Sequence, residues 1–497
     1  YKKSQLKSVM RPTHLLFSSI IIFAFGCYHN PHTSSDKLGI NIPEEWSIPI
    51  HEKSDNNKDW VAAFNDEELI SYLEAVKAKS PDFLSILENE KIGRYNAKIK
   101  GANIFPSVNF GFNESQSRQN LSAFGFADSF LGDQGSDSSS QNNSSSSGVI
   151  SFENKTFGLG LNYQWELDIW GRLLNERIAA RKDYEAVKYD LSYLGFSLVV
   201  RSAILFYQGV EALEQSTLSK ESYASLVEIR DLVKNRYEKG LRSSLDYRLA
   251  ETSVSTAILE MENRKNQLIS INRQLETLVG EYPTGTLLKQ KKLPTNLPSI
   301  PKSIPAAIIE RRPDIRSLIL KVESNVSRVS QAKRNLLPGI SFTGSLGTST
   351  QDFEQLLDQD YGIWNLGLNV TAPIFNGKRL RSAIKVQEAA FEISRQDLVK
   401  GLLKAFSEVE QLMYFDQSLK VQINAMRSGV DQSKDAYNLS KERYDKGVTT
   451  LESVLSSQRQ YNAIKSQYLQ LQRQSIENRL LLILALGGDF SYINEGS

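Results

Sequence analysis

The side chains able to do chemistry are placed so unevenly that they narrow the class of protein before any element is assigned. The only cysteine is Cys27, and the four histidines (His14, His29, His32, His51) all lie in the first 51 of 497 residues. From residue 52 onward there is no imidazole and no thiol. That part of the chain therefore lacks the commonest general base, the thiolate nucleophile, and the ligands that most zinc, copper and iron sites require. Carboxylate chemistry stays open, but no paired Asp/Glu stands in a recognisable pocket motif. Gly158-x-Gly160 is not a nucleotide loop, because it falls inside an alternating strand pattern and lacks the third glycine and the following helix. Arg311-Arg312-Pro313 offers two cations, yet Pro313 reads as the first residue of a helix, with Asp314 favourable at its positive end. The expectation is a protein without catalytic residues, metal or cofactor.

Composition is consistent with that. The chain is 40% hydrophobic and 23% charged with a net charge of +2, and its basic residues are interleaved with acidic ones. Phosphate binding needs clustered Lys and Arg, so nucleic acid is set aside. A lone cysteine excludes an internal disulfide. Lys2, Lys3, Lys7 and Arg11 precede the apolar run Leu15 to Gly26, after which Cys27 opens a polar stretch. This is the layout of a secretory signal, too short to span a bilayer stably. It resembles a bacterial lipoprotein signal, which implies lipidation of Cys27, although Ala24-Phe25 departs from the usual first two positions of that motif.

The elements behind these residues are duplicated. Arg236-Tyr237-Glu238-Lys239-Gly240 recurs as Arg443-Tyr444-Asp445-Lys446-Gly447, and Gly280 falls on Gly487, both at an offset of 207 (443 − 236 and 487 − 280). Pro81-Asp82 matches Pro313-Asp314 and Pro106 matches Pro338, at 232. Trp170-Gly171-Arg172 then meets Asn376-Gly377-Lys378 at 206, so 232 − 206 = 26 extra residues lie in the first half. They coincide with the low-complexity segment Ser136 to Ser147.

Each half reads as helix, strand, loop, strand, long helix, turn, long helix. No proline occurs between Ser107 and Tyr282 or between Ile374 and Ser497, so nothing in those stretches breaks a helix. Tyr184, Val187, Leu191, Leu194 and Leu198, with Leu205, form one helical stripe, and Tyr461, Ile464, Tyr468 and Leu471 form another. Leu173 to Glu238 would make a helix of roughly 100 Å at about 1.5 Å per residue. No ordinary globular domain needs such a length.

Strands are predicted where apolar residues alternate with Gly, Asn, Ser and Thr: Val108 to Phe112, Phe157 to Leu167, Ile340 to Leu346 and Trp364 to Ala372. Small and polar residues on one face with aromatics on the other favour a membrane barrel over a soluble sheet. Four strands cannot close a barrel, since the smallest bacterial ones use about eight. Unpaired edges are not tolerated in lipid, so other copies must complete it.

The chain resembles the TolC-like outer-membrane efflux proteins, especially their lipoprotein branch, from about Trp60 to Phe490. The residues that carry the likeness are Glu310-Arg311-Arg312-Pro313-Asp314-Ile315-Arg316 and the opening Trp60, Phe64, Asp66, Leu69 pattern. Leu167-Asp168-Ile169-Trp170-Gly171-Arg172 and Ala372-Pro373-Ile374-Phe375-Asn376-Gly377-Lys378 resemble the family's two strand-to-helix junctions. The resemblance implies an α+β, mostly α fold, in which duplicated long hairpins build a periplasmic α-barrel. Four strands per protomer would contribute to a 12-stranded outer-membrane β-barrel in a homotrimer. The organisation expected is 1–26 signal, 27–59 linker after lipidated Cys27, 60–283 first repeat, 284–305 proline-rich link, 306–490 second repeat and 491–497 tail.

The resemblance further implies a passive duct for small toxic solutes, lodged in outer-membrane lipid. An inner-membrane pump of the RND or a similar type and a periplasmic membrane-fusion adaptor would serve it. Protein secretion on the same frame and a non-channel envelope scaffold are the alternatives. Gly240 and Gly447 end long helices as left-handed C′ residues, and Ser243-x-x-Asp246 and Thr449-x-x-Glu452 read as capping boxes of the returning helices. In the family such tips contact the adaptor, which assigns docking to Lys239, Gly240, Leu241, Lys446, Gly447 and Val448, with Thr449 beside them. Relatives often carry an Asp in a Leu-Asp-Ala segment lining the closed entrance; this chain has Leu455-Ser456-Ser457. Glu452 lies one helical turn before Ser456, which makes the pair the candidate periplasmic gate.

Overall fold

Uninterrupted helices are what the proline-free stretches allow, and they form. A computed structural model describes residues 42–48, 61–120, 151–289, 291–300, 305 and 311–487. Trp60, Cys27 and the segment Ser136 to Ser147 lie outside them. The first half runs α1 (Glu67–Lys79), α2 (Pro81–Gly101), β1 (Ser107–Asn120), β2 (Ser151–Leu167), α3 (Arg172–Glu238) and α4 (Ser244–Val279). The second runs α5 (Pro313–Arg334), β3 (Gly339–Thr350), β4 (Gly362–Thr371), α6 (Arg379–Asp445) and α7 (Leu451–Ala485). Helices α3 and α6 have 67 residues each, roughly 100 Å at about 1.5 Å per residue. The described residues form two compact units, one of 98–180 and 326–389, the other of 42–97, 181–325 and 390–487.

The sheet-bearing unit holds a four-stranded antiparallel sheet in the order β1-β2-β3-β4. Leu167 pairs with Ile340 across the halves, so β2 and β3 meet although 171 residues (338 − 167) separate the end of one from the start of the other. Each strand-to-helix junction needs an abrupt turn. Gly171 at φ 74° makes the first, and Gly377 at φ 57° with Lys378 at φ 67° makes the second. At the first, Asp168 accepts a hydrogen bond from the Leu174 backbone N–H (2.6 Å), and Arg172 forks onto Glu166 (3.1 and 2.6 Å). The Trp170 indole donates to the Pro338 carbonyl (2.8 Å) and Arg334 donates to the Trp170 carbonyl (2.7 Å), which ties the junction to the end of α5.

The helical unit contains the cores. Helix α7 is apolar around most of its last turns because it meets two partners. Ile476, Leu480 and Ile483 join Phe196, Val199, Val200, Ala203, Phe206, Tyr207 and Val210 of α3. Leu482, Ala485 and Leu486 join Leu398, Leu402, Ala405, Val409 and Met413 of α6. The periodicity predicted for α3 is correct, but the stripe chosen is not the buried one: Leu194 is 48% exposed, while Phe196, Val199, Ala203 and Phe206 are at most 2% exposed. Two apolar stripes run along this helix, and the one with Ala and Val between aromatics is buried, Leu198 and Leu205 of the predicted stripe packing against its margin. A stretch of α3 is long and apolar enough to cross a membrane by composition, yet 61% of it is buried among its neighbours, as a core helix would be.

The family marks have structural work. Asp66 caps α1 through the Leu69 N–H (3.0 Å), accepts from Tyr207 (3.1 Å) and pairs with Lys291 (2.5 Å). Arg312, 3% exposed, forks onto Asp314 (3.0 and 2.7 Å) and reaches Glu408 (3.0 Å) and the Ala485 carbonyl (3.3 Å). Pro313 is the first residue of α5, as read from the sequence. Gly280 and Gly487 both take positive φ, 84° and 78°, and a Cβ at Gly487 would lie 2.8 Å from Arg311 Cβ.

Candidate functional site: the sheet face and the hairpin tips

Register sorts the strand residues into two faces. Val108, Phe110 and Phe112 stand opposite Tyr163, Leu161 and Leu159, and Leu161 and Trp165 stand opposite Leu346 and Phe342. Leu346, Phe342 and Ile340 in turn face Trp364, Leu368 and Val370, so one side of the sheet is apolar across all four strands. The other side carries Asn109, Gly111, Asn162, Gly160, Ser345, Gly347, Asn365 and Gly367, with Ile363 apolar among them. Gly160 and Gly347 oppose one another, and a Cβ on Gly347 would sit 2.1 Å from the Leu159 carbonyl oxygen. The backbones approach so closely there that only glycine fits.

The apolar side is bare. Val108, Phe110, Phe112, Leu161, Leu346, Trp364, Leu366, Leu368 and Val370 are each at least 45% exposed. Removing one such side chain from water is worth about 1.5–3 kcal/mol. Even half that, over nine residues, rivals the ~5–15 kcal/mol that stabilises a typical domain. Two strand edges, on β1 and β4, are also unpaired among the described residues. A surface of this kind is at rest in lipid with its edges closed, not in water.

The hairpin tips are built alike. At the first, Leu241 donates to the Arg236 carbonyl (2.8 Å) and Gly240 to Tyr237 (2.8 Å); at the second, Val448 donates to Arg443 (2.9 Å) and Gly447 to Tyr444 (3.0 Å). These are Schellman closures on left-handed glycines, φ 72° and 76°, and beyond the adjoining residues no described atom lies within 4 Å of either missing Cβ. Backbone conformation, not crowding, requires glycine here. Ser243 caps α4 through the Asp246 N–H, as read from the sequence. The second cap is Thr450, not Thr449: Thr450 is extended and accepts from the Ser453 N–H (3.3 Å). Thr450 lies 207 residues after Ser243, so the repeat offset itself carried the signal that the acidic spacing of Glu452 obscured.

Lys239, Gly240, Leu241, Lys446, Gly447 and Val448 are all exposed, Leu241 and Val448 at 70% and 73%. Glu452 and Ser456 are exposed one turn apart on α7 and line one shallow polar groove with Ser453, Ser457 and Gln460. The structure adds a link between the tips that sequence reading missed. Arg236 donates to the Tyr444 and Asp445 carbonyls (3.4 Å each), and the Arg236 and Arg242 guanidiniums lie 5.3 and 4.7 Å from the Tyr444 ring centroid. Its signal was the repeated Arg-Tyr pair.

A duplicated set of helical hairpins and an open sheet with a lipid-compatible face are features an outer-membrane channel protein requires. The chain belongs to the outer membrane efflux protein family, whose model matches residues 72–281 and 304–488. Over 487 residues it is 26% identical to the pyoverdine export outer membrane protein OpmQ of Pseudomonas putida, covering 96% of this chain and 97% of that one. It is 22% identical over 487 residues to the cation efflux system protein CusC of Escherichia coli, covering 96% and 99%. Its fold matches the Campylobacter jejuni CmeC outer membrane channel with a TM-score of 0.76 at 20% identity, over 95% of this chain and 97% of that one. The outer-membrane channel OprN gives the same TM-score at 18% identity, over 90% and 97%. The protein is thus an outer-membrane efflux channel, of a family of ducts and not of enzymes.

Proposed function

We propose that three copies of this chain close the sheet into a twelve-stranded barrel (3 × 4) and that their hairpins form the tunnel leading to it. The observation that carries this reading is the apolar sheet face exposed between two edges that are unpaired among the described residues. The duct is passive; an inner-membrane pump of the RND or a similar type supplies the energy and a periplasmic adaptor joins the two. The adaptor docks on Lys239, Gly240, Leu241, Lys446, Gly447 and Val448, whose exposed apolar tips beside lysines suit a helical partner. Glu452, with Ser456, lines the periplasmic gate, and Cys27 carries the lipid anchor. Relatives named for pyoverdine export and for cation efflux share this plan, so the cargo is set by the pump and the duct accepts small solutes without choosing among them.

The test is the mass of the detergent-solubilised protein together with its conductance in planar bilayers. The expected result is three times the chain mass and discrete single-channel steps; a silent monomer would sink the proposal.

A further inference from the structure

The connection between β3 and β4 does not extend away from the sheet but folds back on its apolar side. Its one-turn segment Phe353–Gln355 places the Phe353 ring edge-on to Phe112 and Phe157, with centroids 6.4 and 5.5 Å apart. The Leu356 carbonyl accepts from the Thr348 hydroxyl (2.6 Å), and the Thr350 hydroxyl donates to the Gln355 side chain (3.2 Å). Phe112, Phe157, Thr348 and Thr350 all belong to the apolar side. The fold-back buries Phe157 to 6% and Leu356 to 6% exposure but leaves Phe353 at 61% and Leu357 at 82%.

Chemistry changes abruptly at this level. Beyond Phe112 and Phe157 the same side continues as Glu114 with Lys155 (3.4 Å) and Arg118 with Glu153 (3.6 Å). The Lys155 ammonium also lies 4.6 Å from the Phe157 ring centroid, so the first charge beyond the apolar stretch sits directly against its last ring. From Phe157 to Leu167 there are ten residue steps, roughly 34 Å along a strand. With a barrel strand's tilt of about 40° this is ~25 Å of height, the height of an outer-membrane apolar band. The Phe112–Phe157–Phe353 group therefore marks one edge of the band, where an apolar loop residue meets both hydrocarbon and water.

We propose that the β3–β4 connection is a lip lying on the lipid-facing side of the sheet, with Phe353 and Leu357 seated in the acyl chains of the outer leaflet. Continuity with the bare apolar face carries the choice of occupant, and the inference rests on the barrel reading above. Leu357→Cys, with Cys27→Ser to leave one thiol, is labelled with a nitroxide in the full chain reconstituted into phosphatidylethanolamine–phosphatidylglycerol vesicles. Collision with oxygen and with a nickel chelate is then compared with labels at Leu366→Cys, mid-band, and Gln116→Cys, on the polar ribbon; Phe353→Cys serves if the Leu357 variant does not insert. The expected result is an oxygen-to-nickel ratio at Leu357 several-fold above that at Gln116 and approaching that at Leu366. A nickel-accessible Leu357 beside a lipid-exposed Leu366 overturns the lip alone. So does a Leu357 inaccessible to both reagents, which would place protein over it. A nickel-accessible Leu366 removes the barrel reading beneath it.

Discussion

Glu276 is 4% exposed near the end of α4, yet the turn that follows keeps it ionised. Thr284 Oγ1 (2.8 Å), the Gly285 N–H (2.6 Å) and the Thr286 N–H (2.9 Å) all donate to its carboxylate. Burial alone would raise its pKa; the Gly285, Thr286 and Thr284 donors outweigh burial and hold it below the ordinary carboxylate range. Because the folded value is the lower one, the contribution to stability is complete above the unfolded value of about 4.3 and is lost as pH falls through the folded value. Glu276→Gln is expected to cost about 1–3 kcal/mol at neutral pH, with the difference from the parent disappearing in acid. Thermal melts of both proteins across that range check it, and an equal gap at every pH would refute the clamp. Nothing in the spacing announces this contact, because the donors lie eight to ten residues beyond the helix position they satisfy.

At the scale of elements, one motif used twice meets two environments. Tyr237 is 41% exposed and stacks on Tyr247 with centroids 5.6 Å apart, whereas its repeat partner Tyr444 is 1% exposed among Ile229, Val233, Leu451 and Val454. Burial pushes the Tyr444 phenol up, and its hydroxyl has no hydrogen-bond partner among the described residues. Tyr444→Phe removes an unsatisfied group without leaving a cavity, so it is expected to be neutral or to stabilise by about 1 kcal/mol. Tyr444→Ala is expected to cost about 3–5 kcal/mol by opening the cluster. Denaturant melts give the totals, and amide exchange at the start of α7 locates them; a destabilised Phe variant would show that the hydroxyl is used. Identical residues at identical spacing could not have told Tyr237 from Tyr444, since the difference lies in which neighbouring hairpin lies against each.

At the scale of the whole molecule the proposed gate is the testable feature. Glu452 is the second residue of α7 once Thr450 is recognised as the cap, and its exposed face is shared with Ser456 and Gln460. Three such carboxylates around a narrow entrance would favour cations. Glu452→Gln is expected to reduce the cation-to-anion permeability ratio in bilayer recordings while conductance steps persist. Unchanged selectivity would return Glu452 to an ordinary acid at a helix start, where the dipole alone favours it.

Periods and backbone chemistry were legible in the residues themselves. Alternation specified four strands and their apolar side, proline-free runs allowed long helices, read as Leu173 to Glu238 in the first half and found there as Arg172 to Glu238, and glycines at 240 and 447 specified the tips. Each of these is local, dictated by a few neighbouring residues. Packing is not local. Which of two stripes on α3 is buried, the capture of Tyr444 by Arg236 and Arg242, the clamp on Glu276 and the folding of Phe353 onto Phe112 and Phe157 each depend on side chains brought together from distant positions. Those were decided only when the long helices and strands met, because contact energy depends on which surfaces fit, and chain spacing does not encode that.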